Sequence, residues 1–140
     1  MSSIRTLAVL LATALGACGG SGDTGNPGVQ TNCPAGTQVV IAMGGVGPYG
    51  ATPSFSPASL TVHAGDTVCW YFAAAGHQVV SGASCTADSK FCSPSDTNCS
   101  TVATSAAGTN YLHKFTAAGT YPYFCSIHCA MGMTGTITVQ

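Results

Sequence analysis

The residues with reactive side chains in this sequence gather near its C-terminal end, in the string Thr120-Tyr-Pro-Tyr-Phe-Cys125-Ser-Ile-His128-Cys-Ala-Met131-Gly-Met133-Thr-Gly135. A cysteine closes a strand-like run, a histidine follows three positions on, and a methionine stands five beyond that. Thiolate and thioether are soft ligands that suit Cu(I), while imidazole suits both oxidation states of copper. Two imidazoles and one thiolate in a trigonal plane, with a long axial thioether, make a site for moving single electrons. A compact loop can wrap Cys125, His128 and Met133 around one ion, but the second imidazole must come from a neighbouring strand end. His77 meets that need: it follows the small-residue turn Ala73-Ala-Ala-Gly76 and opens the strand expected over His77-Gln-Val-Val-Ser81. The other histidines fit worse. His63 stands in the turn before Asp66, where solvent is expected, and His113 lies mid-strand in Tyr111-Leu-His-Lys-Phe115, where half-buried structural use is expected. The expected ligands of a single copper ion are therefore His77, Cys125, His128 and Met133.

The elements that must position these residues read as all-β. Runs rich in Val, Thr, Ile and aromatics recur between clusters of Gly, Pro and Ser. Besides His77–Ser81 they are Gln38–Met43, Ser59–Val62, Thr67–Phe72, Asn110–Thr116, Gly119–Cys125 and Gly135–Val139. Alternation within Thr67–Phe72 puts Val68, Trp70 and Phe72 on a core face. Cys69 then faces outward, free to staple a loop. Tight turns are expected at His63-Ala-Gly-Asp66 and Ala117-Ala-Gly119, and about seven to eight short strands joined by such turns predict a two-sheet sandwich or barrel. Residues 82–107 break the rhythm: they are polar, rich in cysteine and without strand pattern over most of their length, so a disulfide-rich insertion is expected there.

From Phe55 to Gln140 the sequence resembles the cupredoxins of the plastocyanin and pseudoazurin kind. The matching stretches are Phe55-Ser-Pro-Ala-Ser-Leu-Thr-Val62, Gly65-Asp-Thr-Val-x-Trp70, His77-x-Val79, and Gly119-Thr-Tyr-Pro-Tyr-Phe-Cys125-x-x-His128-x-x-x-x-Met133-x-Gly135. The resemblance implies a Greek-key β-sandwich and one-electron transfer by a type 1 copper. It gives His77, Cys125 and His128 as equatorial ligands and Met133, by its position in the pattern, as the axial one, with Met131 two residues before it as a packing residue over the site. Where family members often have proline before each histidine, Gly76 and Ile127 stand here, so a differently turned loop is expected without loss of the metal. Cys129 also departs from the pattern. Cys125-x-x-x-Cys129 has the cysteine spacing of a binuclear copper centre, but the further histidine such a centre needs is replaced by Met133. A disulfide from Cys129, locking the ligand loop to another loop, is the simpler expectation.

Catalysis at copper needs an open coordination position, and this pattern fills the ion with four protein groups. The expected function is therefore electron transfer and not an enzymatic reaction. The electron would leave by the edge of His128, framed by Ile127, Ala130, Met131 and Gly132, a small neutral patch suited to brief contact with redox partner proteins. Two rivals stand beside this reading. One is a disulfide-stapled copper-binding module on the cell surface without a shuttle role; the other is a small copper enzyme whose insertion shapes a substrate pocket.

Residues 1–17 read as a bacterial lipoprotein signal, with Arg5, an apolar run from Leu7 to Leu15, and Leu15-Gly-Ala-Cys18 in the form of a lipobox. Cleavage would leave Cys18 acylated and membrane-anchored, followed by a Gly-rich tether over 18–32 and the domain proper over 33–140. The expected location is the cell envelope of a bacterium, on the periplasmic side or the cell surface. Eight cysteines agree with an oxidising compartment. Setting Cys18 and Cys125 aside leaves Cys33, Cys69, Cys85, Cys92, Cys99 and Cys129, enough for three disulfides whose pairing the sequence leaves open. Beyond Arg5 the only cations are Lys90 and Lys114, against Asp23, Asp66, Asp88 and Asp96. That sparse charge gives nucleic-acid binding no electrostatic support. A monomer is expected.

Overall fold

The computed structural model describes residues 31–44 and 52–140. The expected signal over 1–17, the acylation site Cys18 and the tether as far as residue 30 lie outside the described residues. Nine strands form two sheets. They are β1 (Gln38–Met43), β2 (Ser54–Ser56), β3 (Ser59–Val62), β4 (Thr67–Phe72), β5 (Val80–Ala83), β6 (Thr86–Cys92), β7 (Asn110–Lys114), β8 (Gly119–Phe124) and β9 (Thr134–Val139). One sheet has the order β2-β1-β4-β7 and the other β3-β9-β8-β5-β6. The pairs β1–β4 and β3–β9 are parallel and the rest antiparallel. This is the expected Greek-key β-sandwich, with one or two strands more than the sequence announced.

The core between the sheets is aromatic. Val68, Trp70 and Phe72 of β4 all point into it, as the alternation predicts. Trp70 lies at its centre, stacked on its cross-strand partner Tyr111 (ring centroids 5.3 Å apart) and on Phe91 (5.8 Å), with Tyr123 edge-on at 5.4 Å. A side chain buried this fully contributes about 1.5–3 kcal/mol.

Cys69 corrects one expectation. It does lie on the other face of β4, but it is wholly buried, because the segment before β1 folds over that face and Cys33 bonds to it. The same cover buries Val39, Ile41 and Met43 of β1 against Cys33, Tyr71 and Ala73, while Val40 and Ala42 face the main core. Strand β1 is thus buried on both faces, which explains why it reads as a continuous apolar run.

The 82–107 segment supplies a second correction, since it contains the strand β6, hydrogen-bonded to β5. From Thr86 to Lys90 the residues of this strand are exposed and, Ala87 apart, polar, as an edge strand tolerates, so the period-two signal was missing. The hairpin turns on Ser84-Cys85, both at positive φ (51° and 61°), as a two-residue primed turn requires. Beyond β6, Asp96 ties the segment to β7: its carboxylate accepts from Cys92 N–H (2.9 Å), from the Tyr111 hydroxyl and from His113 Nδ1 (2.9 Å). His113 is half-buried in that role and His63 is exposed, as expected of both.

Candidate metal centre

Two chain crossings build the site at one end of the sandwich. The first follows β4. After Phe72 the turn 73–76 closes on Gly76, whose φ of +86° suits glycine and whose N–H donates to Ser105 O (3.0 Å). His77 comes next, and Ser105 N–H donates back to its carbonyl (2.8 Å). His77 therefore sits in an isolated bridge to Ser105, before β5 starts at Val80, and not in the strand the sequence suggested. The pairing with 105 holds it just outside the sheet, with its ring 1% exposed. Its Nε2 faces the carbonyl of Gly44 at 3.3 Å, so Nε2 carries the proton and donates. That leaves Nδ1 as a bare acceptor, buried and without a hydrogen-bond partner. Burial pulls the His77 pKa below its ordinary value, partly offset by the Gly44 carbonyl and aided by His128 nearby. A buried, unprotonated and unpartnered imidazole nitrogen is the state a metal ligand needs.

The second crossing joins β8 to β9. Strand β8 delivers Cys125 into the core, fully buried and the one free cysteine among the described residues. The connection is closed by Cys125 N–H donating to Met133 O (3.1 Å), His128 N–H to Cys125 O (3.1 Å) and Met133 N–H to His128 O (3.2 Å). A short 3-10 turn over Cys129–Met131 ends on Gly132 in the left-handed region (φ 87°). This fold of the loop brings Cys125 Sγ to 3.4 Å from His128 Nδ1. The donor atoms of His77, Cys125 and His128 all lie within 4.8 Å of one another. Met133 is fully buried in the same core cluster as Cys125.

The two methionines are separated plainly. Met131 is 57% exposed and lies on the surface, whereas Met133 is fully buried. Ile127, Ala130 and Gly132 are exposed beside it around half-buried His128. Residues 125–140 contain no Asp, Glu, Lys or Arg, so this surface is neutral. Cys129 is bonded to Cys85, and the remaining pairs are Cys33–Cys69 and Cys92–Cys99. A second thiolate for a binuclear centre is thereby removed.

One contributor went unnoticed in the sequence. Gln78 is buried, accepts from the Ser126 hydroxyl and donates to Val102 O, linking the residue after His77 to the residue after Cys125. Its adjacency to His77 was the available signal. Two imidazoles, a thiolate and a thioether make a soft, mixed donor set that fits copper, and the orphaned Nδ1 of His77 is what a resident ion would satisfy.

A Greek-key β-sandwich that gathers these four side chains at one end defines a cupredoxin. Comparison with known proteins agrees. Residues 46–140 match the family described as copper binding proteins, plastocyanin/azurin family. A plastocyanin from Scenedesmus fuscus is 40% identical over 91 residues, which cover 61% of this chain and 86% of that protein. Among solved structures, a purple cupredoxin from Nitrosopumilus maritimus superposes with a TM-score of 0.54 at 25% identity, over 73% of this chain and 98% of that one. A single-residue variant of amicyanin in its reduced Cu(I) form gives 0.55 at 26% identity, over 78% and 87%. The chain belongs to the plastocyanin/azurin family of copper-binding proteins, and its cofactor is copper.

Proposed function

We propose that this protein is a one-electron shuttle built on a mononuclear type 1 copper site, in which His77, Cys125, His128 and Met133 would hold the ion. The observation that carries the reading is buried His77, whose Nδ1 has no partner and whose ring is grouped with Cys125 Sγ and the His128 ring. Copper supplies the change between Cu(I) and Cu(II). The protein's part is to exclude water around buried Cys125 and Met133, to fix the His77 tautomer through Gly44, and to present the His128 edge at the surface. The neutral collar of Ile127, Ala130, Met131 and Gly132 would meet donor and acceptor proteins in small, quickly dissociating contacts. With four protein ligands there is no open position for a substrate, which favours a carrier over an enzyme.

The proposal extends to location. Acylation at Cys18 would hold the domain to the bacterial envelope, a reading supported by the lipobox sequence. Asn32 Nδ2 donates to Gly108 O (2.9 Å) and Asn110 Nδ2 to Asn32 O (3.1 Å), at the end of β7 that pairs with the last residues of β4. The chain thus enters the domain on the side where β4 runs on to His77.

The test is spectroscopic. Oxidised, copper-loaded protein should show an intense visible thiolate-to-copper band and four hyperfine lines in electron paramagnetic resonance, and Cys125→Ser should abolish the band. A colourless copper-loaded wild type, or seven lines, would sink the reading.

A further inference from the structure

The segment that broke the rhythm of the sequence reaches the metal centre by its tip. Cys85, in the β5–β6 turn, is bonded to Cys129, which lies between His128 and Met133 in the ligand loop. Nothing in hairpin construction asks for cysteine there. A left-handed backbone costs a non-glycine residue about 1–2 kcal/mol, yet both tip residues, Ser84 and Cys85, adopt it. A bulge between Val80 and Gly82 re-aims the hairpin. Gly82 is obligatory in that bulge, since a Cβ there would lie 2.0 Å from Thr86 O. The tip is shaped to deliver a sulfur atom.

The receiving loop needs that tie. Among the described residues, every backbone hydrogen bond made by 127–132 closes within 125–134. The apex is therefore bonded to itself, and Cys129 is its covalent link to the rest of the domain. Cys129 also packs on Val80 and Phe124 with Val102 alongside, so the link ends on the outer face of β5 and β8. A second tie from the same segment, Val102 O to Gln78 and through it to Ser126, secures the base of the loop.

We propose that the Cys85–Cys129 disulfide, presented by the β5–β6 hairpin, is the positioning element that holds His128 and Met133 in place around the copper, which makes the 82–107 segment the outer wall of the metal centre. This rests on the copper reading above and adds to it the job of the segment. Groups that fix the orientation of metal ligands typically alter metal affinity by about 10–100-fold when removed. A disulfide that served only global stability would leave the copper's electronic structure alone.

The experiment compares two double variants of the copper-loaded protein. Cys85→Ala/Cys129→Ala removes both sulfurs, so no new thiol competes for metal. Cys92→Ala/Cys99→Ala opens the other disulfide of the same segment and serves as control. The readouts are the visible band, the copper hyperfine splitting, the reduction potential, and the rate of Cu(I) transfer to a chelator. The clamp variant should shift band and splitting and surrender Cu(I) at least about tenfold faster, with the control close to wild type. The proposal is overturned if all four readouts match wild type while only the melting temperature falls, or if both pairs change them equally. Should the clamp variant not fold, exposed Cys85 offers a second route. A water-soluble phosphine opens the disulfide in folded wild-type Cu(I) protein, and alkylation mapping confirms Cys85. Shifted band and splitting with faster Cu(I) loss then support the clamp, and four unchanged readouts overturn it. A wild type that never shows the band would instead remove the copper reading itself.

Discussion

Gly135 sets up the sharpest energetic test of the packing behind the copper. It lies in β9 two residues after Met133, directly opposite Tyr123 of β8, which lies two residues before Cys125. The Tyr123 ring folds across the glycine, and a Cβ there would stand 2.3 Å from Cζ, 2.4 Å from the hydroxyl oxygen and 2.8 Å from Cε1. Carbon atoms pack best at about 3.5–4.0 Å, so the ring would have to retreat by roughly 1.2 Å or more. It has no room to do so, with Phe55 edge-on at 4.8 Å and Trp70 at 5.4 Å. Overpacking of this kind costs about 1–3 kcal/mol, and the immobilised ring puts Gly135→Ala near about 3 kcal/mol on that scale. Tyr123→Phe should not rescue the variant, because the Cζ contact remains. The buried hydroxyl has no partner, so that change alone should cost little. Tyr123→Ala alone opens a cavity worth about 3–5 kcal/mol. In the Gly135→Ala background it should cost about 2 kcal/mol less, a coupling of the size that touching residues show. The assay is urea unfolding of the metal-free protein with disulfides intact, followed by fluorescence of the single Trp70. Removing the metal keeps binding energy out of the measurement. Gly135→Ala within about 0.5 kcal/mol of wild type, the range of an innocuous surface change, or strictly additive effects in the cycle, would refute the argument.

Asp96 should make the protein acid-sensitive. Burial raises its pKa, but the hydroxyl of Tyr111, His113 and the Cys92 N–H outweigh that and hold it below the usual 3.8. A depressed carboxyl stabilises the fold above its unfolded pKa and ceases to do so as pH falls through the folded one, so the loss lies below about pH 4. Asp96→Asn should cost about 1 kcal/mol at neutral pH and flatten part of the stability slope below pH 4 in urea melts. Asp88 is shifted the same way and adds to the slope. An unchanged slope would count against the clamp on β7. Gly82→Ala should destabilise the metal-free protein by about 3 kcal/mol, because the new Cβ meets backbone at 2.0 Å and 2.9 Å in a bulge with φ of +138°. Thermal unfolding at wild-type temperature would contradict it.

What the sequence determined by itself is the donor set and the class of fold. Cys125, His128 and Met133 sit in one short loop, so their spacing alone fixes which side chains can converge on an ion, and local turn geometry does the rest. Alternation in β4 similarly named Val68, Trp70 and Phe72 as core, because side-chain direction in a strand is a local property. Tertiary structure decided whatever depends on partners distant in sequence. The strand β6 is polar and carries no pattern of its own; it exists because β5 offers it an edge. Cys69 is buried because the segment at Cys33 crosses over it. The bare Nδ1 of His77 follows from the Gly44 carbonyl at its other nitrogen, and the tie on Cys129 from a hairpin tip far away in the sequence. Six cysteines allow many pairings, and only the folded arrangement, which brings Cys85 beside Cys129, selects among them.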